Sequence, residues 1–93
     1  MSDDAQHVEL LELDIESLLS FFIGLTSTKA LQYLGVTLKE GEESKKDIEK
    51  ARFAIDTTMV LVEKLEPRVE AKEKTQLRQI LSNLQFTYLR ESN

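Results

Sequence analysis

The segment at residues 15–34 is far more apolar than one helix of a small domain needs. It reads IESLLSFFIGLTSTKALQYL and is followed by Gly35. At about 100° per residue one broad stripe emerges, formed by Ile15, Leu18, Leu19, Phe22, Ile23, Leu25, Ala30 and Tyr33. Phe21, Leu31 and Leu34 widen the apolar surface at both flanks. Because the apolar stripe of a surface helix is ordinarily somewhat more than about 100° wide, something else must cover the excess.

The composition favours a few long helices. The 93 residues include three glycines and one proline, which leaves room for few turns. Val, Ile and Thr do not alternate with polar residues in short runs, so strands are not expected. A chain of this length forms one small domain. The sequence therefore predicts a single all-α domain.

The charge of the chain is uneven. Residues 1–16 contain six acidic residues, Asp3, Asp4, Glu9, Glu12, Asp14 and Glu16, and no Lys or Arg. We expect residues 1–13 to be a disordered acidic leader and residues 14–90 to form the domain. The net charge of −5 disfavours binding to phosphate backbones, so no nucleic-acid partner is expected.

The sequence also predicts a soluble cytoplasmic protein. Its acidic start has no positive region before an apolar core, so it does not read as a signal peptide. The densest apolar stretch, residues 18–25, is far too short to span a membrane. The chain has no cysteine, which excludes disulfides, thiolate metal sites and cysteine nucleophiles.

Three helices are predicted, at about residues 15–34, 45–66 and 71–90. Asp14 is a good N-cap for the first helix and Gly35 a good terminator. Residues 37–43 read as a polar loop. The second helix is expected to begin near Ser44, with Asp47 in a capping-box-like position, and to stop at Pro67.

The second and third helices have narrower stripes, spaced three and four residues apart. The second stripe comprises Ile48, Ala51, Ile55, Thr58, Met59, Val62 and Leu65, and the third comprises Leu77, Ile80, Leu81, Leu84 and Tyr88. Phe53 and Val60 lie opposite the second stripe, and Phe86 points away from the third. These three side chains have no predicted place in a core.

Small residues line part of the first helix. Ser20, Gly24 and Thr28 are spaced four apart, and such a ridge lets another backbone approach closely. The ridge predicts a helix crossing, either within one subunit or between two copies.

No constellation of residues points to catalysis, a cofactor or a metal. The only histidine, His7, lies in the acidic leader, which offers no rigid scaffold for ligands. Glu40, Glu42 and Glu43 lack the alternating oxygen ligands of a calcium loop. The candidate acid–base carboxylates are Asp56, Glu63 and Glu66, and no His, Cys or buried Ser accompanies them. Arg68, Lys72, Lys74 and Arg78 are expected to pair with acidic neighbours within their helix. We therefore expect a protein that is not an enzyme.

Three motifs carry a family resemblance. They are L-x-Y-L-G at residues 31–35, D-I-E-x-A-x-x-x-I-D at residues 47–56 and L-x-x-I-L-x-x-L-x-x-x-Y-L at residues 77–89. Over residues 14–89 the chain resembles the bacterial family called domain of unknown function 1844. The resemblance implies a short helical module and supplies no catalytic residues.

Together these observations predict a three-helix domain whose first helix is central and shared between subunits. A core of this size rarely supplies more than about 3–5 kcal/mol, so burying a few spare Phe or Leu side chains in a partner would matter. We expect a homo-oligomer and favour a dimer. The predicted interface residues are Phe21, Gly24, Thr28, Phe53, Val60 and Phe86. The alternative is an adaptor whose groove binds an amphipathic helix of another protein.

Overall fold

The computed structural model describes residues 9–36 and 46–92 of the chain, and this part is helical without strands. Helix α1 spans Ile15–Tyr33, α2 spans Ile48–Leu65 and α3 spans Ala71–Ser92. A single 3₁₀ turn, Glu66–Arg68, links α2 to α3, and residues 9–11 are also helical. The predicted all-α class is confirmed.

The ends of α1 follow from local chemistry. The Asp14 carboxylate accepts a hydrogen bond from Ser17 N at 2.8 Å, which caps the first turn. At the other end, Val36 N donates to Leu31 O and Gly35 N to Gln32 O, the paired bonds of a Schellman motif. Gly35 has a φ of 89°, a conformation that glycine adopts without steric cost.

Helix α2 starts later than the sequence predicts. Asp47 is itself the N-cap, and its carboxylate accepts from Lys50 N at 3.1 Å. Its backbone N–H donates to Tyr33 O at 2.7 Å, which ties the start of α2 to the end of α1. Ser44 and the predicted loop at residues 37–43 lie outside the described residues. At the far end, Pro67 lies in the 3₁₀ turn that follows α2, as expected of a residue that cannot continue a helix.

Side chains from all three helices form two apolar clusters. One contains Ala30, Leu34, Ala51, Ala54, Ile55 and Leu84, with Tyr33 and Tyr88 against it. The other contains Ile23, Val62, Leu65, Leu77 and Leu81, with Leu19 and Met59 against it. Ile80 packs against both clusters, so the core is continuous along α3.

Within one chain, α2 rather than α1 is the helix that packs most extensively against its neighbours. Of the residues within α1, Ile23 and Ala30 are fully buried, whereas α2 buries six. Phe22 and Leu25, expected in the core stripe of α1, are exposed. The apolar surface of α1 is wider than the two neighbouring helices can cover. A central α1 shared between subunits therefore stays a prediction about an assembly.

Candidate interaction surface

All four phenylalanines of the chain are exposed. The exposed fractions are 42% for Phe21, 39% for Phe22, 75% for Phe53 and 65% for Phe86. The core is filled instead by aliphatic side chains, alanine and threonine. Phenylalanine is ordinarily among the most buried residue types, so this reversal identifies the exposed apolar surfaces as candidate interaction sites.

The outer surface of α1 is the first apolar area. Phe21 and Phe22 lie with their ring centroids 6.1 Å apart and their planes tilted by 54°, and Leu25 is also exposed, one turn further on. Gly24 and Thr28 are exposed beside them. These five residues occupy neighbouring positions three and four apart, so they form one strip along the helix. We call this strip the α1 strip.

A groove between α1 and α2 adjoins the α1 strip. Its volume is about 400 Å³ and its exposed lining is largely apolar. The lining residues are Leu25, Thr26, Lys29, Tyr33, Lys50, Phe53, Ala54 and Thr57. Leu25 belongs to both areas, and Val60, exposed on α2, lies one turn beyond Thr57. The α1 strip and this groove, which we call the α1–α2 groove, thus make one continuous face.

Two lysines give the α1–α2 groove a positive charge. Lys29 Nζ lies 5.2 Å from the centroid of the Tyr33 ring, and Lys50 Nζ lies 5.8 Å from the same centroid. Neither ammonium forms an ion pair with a carboxylate of residues 9–36 or 46–92. A cation–π contact holds each lysine side chain against the ring. The positive charge of the two ammonium groups suits an acidic partner.

The six predicted interface residues do not share one face. Phe21, Gly24 and Thr28 lie on the α1 strip, and Phe53 and Val60 lie on α2 along the α1–α2 groove. Phe86 is separate, because it follows the buried Leu84 by two positions and so points to the opposite side of α3. The first five residues therefore lie on one face of the subunit and Phe86 on another, and their role in an interface stays a prediction.

Gly24 is not a crossing point within the subunit. A side chain built at this glycine would meet nothing within 4 Å. The small residues of α1 permit a helix crossing either within one subunit or between two copies. The structure has no crossing within the subunit at Gly24. A crossing between two copies stays a prediction.

Several charged side chains form ion pairs between different elements of the fold. Arg68 pairs with Glu16 of α1, and Arg78 forms a two-pronged pair with Glu66, so the basic residues before and within α3 do not pair only inside their own helix as expected. Asp56 is exposed and forms no bond to a neighbouring helix. His7 and Glu40, Glu42 and Glu43 lie outside the described residues.

A larger depression of about 960 Å³ lies at the end of the bundle near the 3₁₀ turn. The Glu16–Arg68 pair lies in it, together with Glu70, Lys72 and Glu73, all exposed. Within the described ranges, no three His, Cys, Asp or Glu side chains are grouped so as to hold a metal ion. The depression lies between helix ends, and its lining mixes charged and apolar side chains.

Among the described residues, the carboxylates of Asp14 and Glu91 have lowered pKa values, and both groups stabilise the fold. The backbone N–H of Ser17 lowers the pKa of Asp14 by bonding to its charged form. The Lys46 ammonium lowers the pKa of Glu91, to whose Oε1 it donates at 3.0 Å, and Arg90 adds to the effect. Asp14 caps α1, and Glu91 ties Lys46, two residues before α2, to the end of α3.

Sequence reasoning missed the Lys29–Tyr33–Lys50 cluster. The signal for half of it was present, because Lys29 and Tyr33 are four residues apart on one helix and such residues face each other. Lys50 could not be added, since its position over the ring depends on how α2 docks on α1.

Comparison with known proteins identifies a family and nothing more. The sequence pattern described as "Domain of unknown function (DUF1844)" matches residues 16–90. No curated protein and no solved structure matches the chain. Among the helices described, none is long and apolar enough to cross a bilayer. A cytoplasmic location stays a prediction.

Proposed function

We propose that this chain, which belongs to the DUF1844 family, is a non-enzymatic helical module that associates with a second copy of itself. The observation that carries the proposal is the exposure of every phenylalanine in a domain whose core is built without them. A protein this small gains much from covering such surface.

The second copy covers the face formed by the α1 strip and the α1–α2 groove. This face is the place where two helices expose adjoining apolar areas, and it contains Phe21, Phe22, Leu25 and Phe53. Fully burying one such side chain contributes about 1.5–3 kcal/mol. Two or three per subunit would rival the roughly 3–5 kcal/mol that a core of this size supplies.

The charges on α1 favour an antiparallel pairing of the two copies. Asp14 and Glu16 lie at its start, and its one basic residue, Lys29, lies near its end. A two-fold axis that runs α1 antiparallel to its copy brings each lysine toward the acidic end of the other helix. A parallel pairing would place like charges together.

The mass in solution tests the proposal. We expect light scattering coupled to gel filtration, at tens of micromolar protein, to give twice the 10.7 kDa of one chain. Dilution should then reveal a monomer, with a dissociation constant from the same series. A mass of 10.7 kDa throughout would refute self-association.

A second candidate is an adaptor that binds an acidic amphipathic helix of another protein. The α1–α2 groove favours it, because an apolar floor beside two lysines that form no ion pair within the described part of the chain suits such a helix. A chain that is monomeric alone but binds an acidic amphipathic peptide in a Lys29- and Lys50-dependent way would support this candidate over the first.

A further inference from the structure

The segment at residues 9–13, which reads ELLEL, has four exposed residues out of five and matches the α1–α2 groove in chemistry. Leu11 is 79% exposed and Leu13 is also exposed. Glu9 and Glu12 are exposed and form no ion pair with a described residue. The segment thus presents apolar side chains and two carboxylates that have no ion-pair partner among the described residues, whereas the groove presents an apolar floor and two ammonium groups that lack one there too.

The segment cannot reach the Lys29–Tyr33–Lys50 cluster of its own chain. Tyr33, over which both lysines lie, is about 27 Å along α1 from Ile15 at a rise of 1.5 Å per residue. Glu12 precedes Ile15 by three residues, which span at most about 10 Å. Glu9 lies no closer, because Glu12 N donates to its carbonyl oxygen at 3.2 Å in a turn. In a dimer, only the second copy can bring this segment to the cluster.

The antiparallel pairing brings it there. When two copies of α1 cross at residues 21–25 about a two-fold axis, Tyr33 of one lies level with Leu13 of the other. The start of α1 in one copy then lies beside the end of α1 in the next, where Lys50 also lies. Neither helix has to bend or lengthen for this arrangement.

We propose that residues 9–13 of each copy dock in the α1–α2 groove of the other. Glu9 and Glu12 of the second copy bind Lys29 and Lys50, and its Leu11 and Leu13 cover the apolar lining of the groove beside Tyr33 and Phe53. The exchange occurs twice in the dimer. This inference rests on the proposed self-association and names the segment that completes its interface.

A charge-swap experiment on the full-length chain tests the docking. One variant carries Lys29→Glu and Lys50→Glu, and the other carries Glu9→Lys and Glu12→Lys. Each homodimer then holds like charges at both grooves, so we expect its dissociation constant to rise on the order of tenfold or more. In the mixed dimer both grooves again face opposite charges, so the dissociation constant should return to within about threefold of the wild-type value. Sedimentation equilibrium of the separate and mixed proteins measures all three constants. Lys72→Glu with Lys74→Glu on α3 is the matched control, and it should leave the wild-type constant unchanged.

The possible results separate this inference from the proposal it rests on. A wild-type chain that is monomeric would overturn both. Dimers that tolerate both charge reversals would overturn the docking and leave self-association in place. Weakened homodimers without recovery on mixing would also overturn the docking in trans, since only contact between copies predicts the rescue. A dissociation constant that returns toward the wild-type value only in the mixture supports the docking between copies.

Discussion

The hydroxyl of Thr58 lies 2.7 Å from the hydroxyl of Thr26, and this contact joins α2 to α1. Thr58 is completely buried and its hydroxyl also lies 2.8 Å from Ala54 O. In sequence each threonine lies between residues of the two apolar clusters, Thr26 between Ile23 and Ala30 and Thr58 between Ile55 and Val62. The contact is therefore a polar link between the clusters.

Replacing Thr58 by valine should destabilise the subunit by about 1 kcal/mol. The shape is kept, so no cavity forms, but the Thr26 hydroxyl loses its best partner and retains only Ile23 O at 3.3 Å. A hydrogen bond between neutral groups contributes about this much to the free energy of unfolding. Urea denaturation at a fixed protein concentration measures the change.

Two further variants serve as controls for this prediction. Thr87→Val removes the hydroxyl of the other buried threonine, which bonds to Asn83 O within its own helix, so its cost should be smaller. The double variant Thr26→Val with Thr58→Val leaves no orphaned hydroxyl, and its loss should be less than the two single losses added together. Additive losses would show that the hydroxyls do not interact.

Phe53→Ser should weaken self-association at least about tenfold, because the aromatic ring leaves the proposed interface. The subunit itself should keep its stability, since Phe53 is exposed and Ser has a similar helix propensity. Dissociation constants from sedimentation equilibrium and helicity from circular dichroism give the two readouts.

Phe86→Ser is the matched control for Phe53→Ser. It removes the same ring from an almost equally exposed site on the far side of α3, so the dimer should persist unchanged. An association that falls with Phe86→Ser and not with Phe53→Ser would move the interface to α3.

Gly24→Leu should dissociate the dimer without unfolding the subunit. The isolated subunit has open space at this position, and exchanging glycine for leucine raises helix propensity by roughly 0.8–1 kcal/mol. A weaker dimer would thus report a contact between copies, as the spacing of Ser20, Gly24 and Thr28 predicts. The measurements are the mass in solution and the helicity of the monomer.

Ser82→Leu on the exposed surface of α3 controls for adding an apolar side chain to a helix. It should leave the mass unchanged. If the Gly24→Leu dimer also stayed intact, Gly24 would lie outside the interface and the α1–α2 groove alone would have to form it.

The helices were predictable because their signals are local. Asp14, Gly35 and Pro67 act on the turns beside them, so the sequence fixes α1 at both ends and α2 at its end. The predicted start of α2 is too early. The prediction treats Asp47 as the third residue after a cap at Ser44, whereas in the structure Asp47 is itself the N-cap. Either assignment satisfies the pattern, and the structure alone distinguishes them.

Burial was harder to predict than helix position. Phe22 and Leu25 fit the apolar period of α1 as well as Ile23 does, yet the neighbouring helices cover only a narrow strip of it. How much of a wide stripe is covered depends on the number and angle of the helices around it, which periodicity does not encode. The stripe of α2 is narrower. Phe53 and Val60 lie opposite it, so periodicity alone predicts that they lie outside the core.

Lowering the pH should remove the contribution of Glu91 to stability. The ammonium of Lys46 lowers the pKa of this carboxyl in the folded state, so the folded protein binds the proton less readily than the unfolded chain. Stability from the pair is therefore complete above the ordinary pKa of 4.5 and disappears as the pH falls through the lowered value. Glu91→Gln should lower the melting temperature at pH 7, and the difference from the wild type should close as the solution becomes more acidic.

The acid dependence has a control on α2, where Glu63 is exposed and forms no ion pair with a described residue. Glu63→Gln should leave the melting temperature at pH 7 close to that of the wild type. High salt should narrow the gap between Glu91→Gln and the wild type, because mobile ions screen an exposed pair. A gap of constant size from pH 7 down to pH 2 would mean that Glu91 acts through packing and that its charge plays no part.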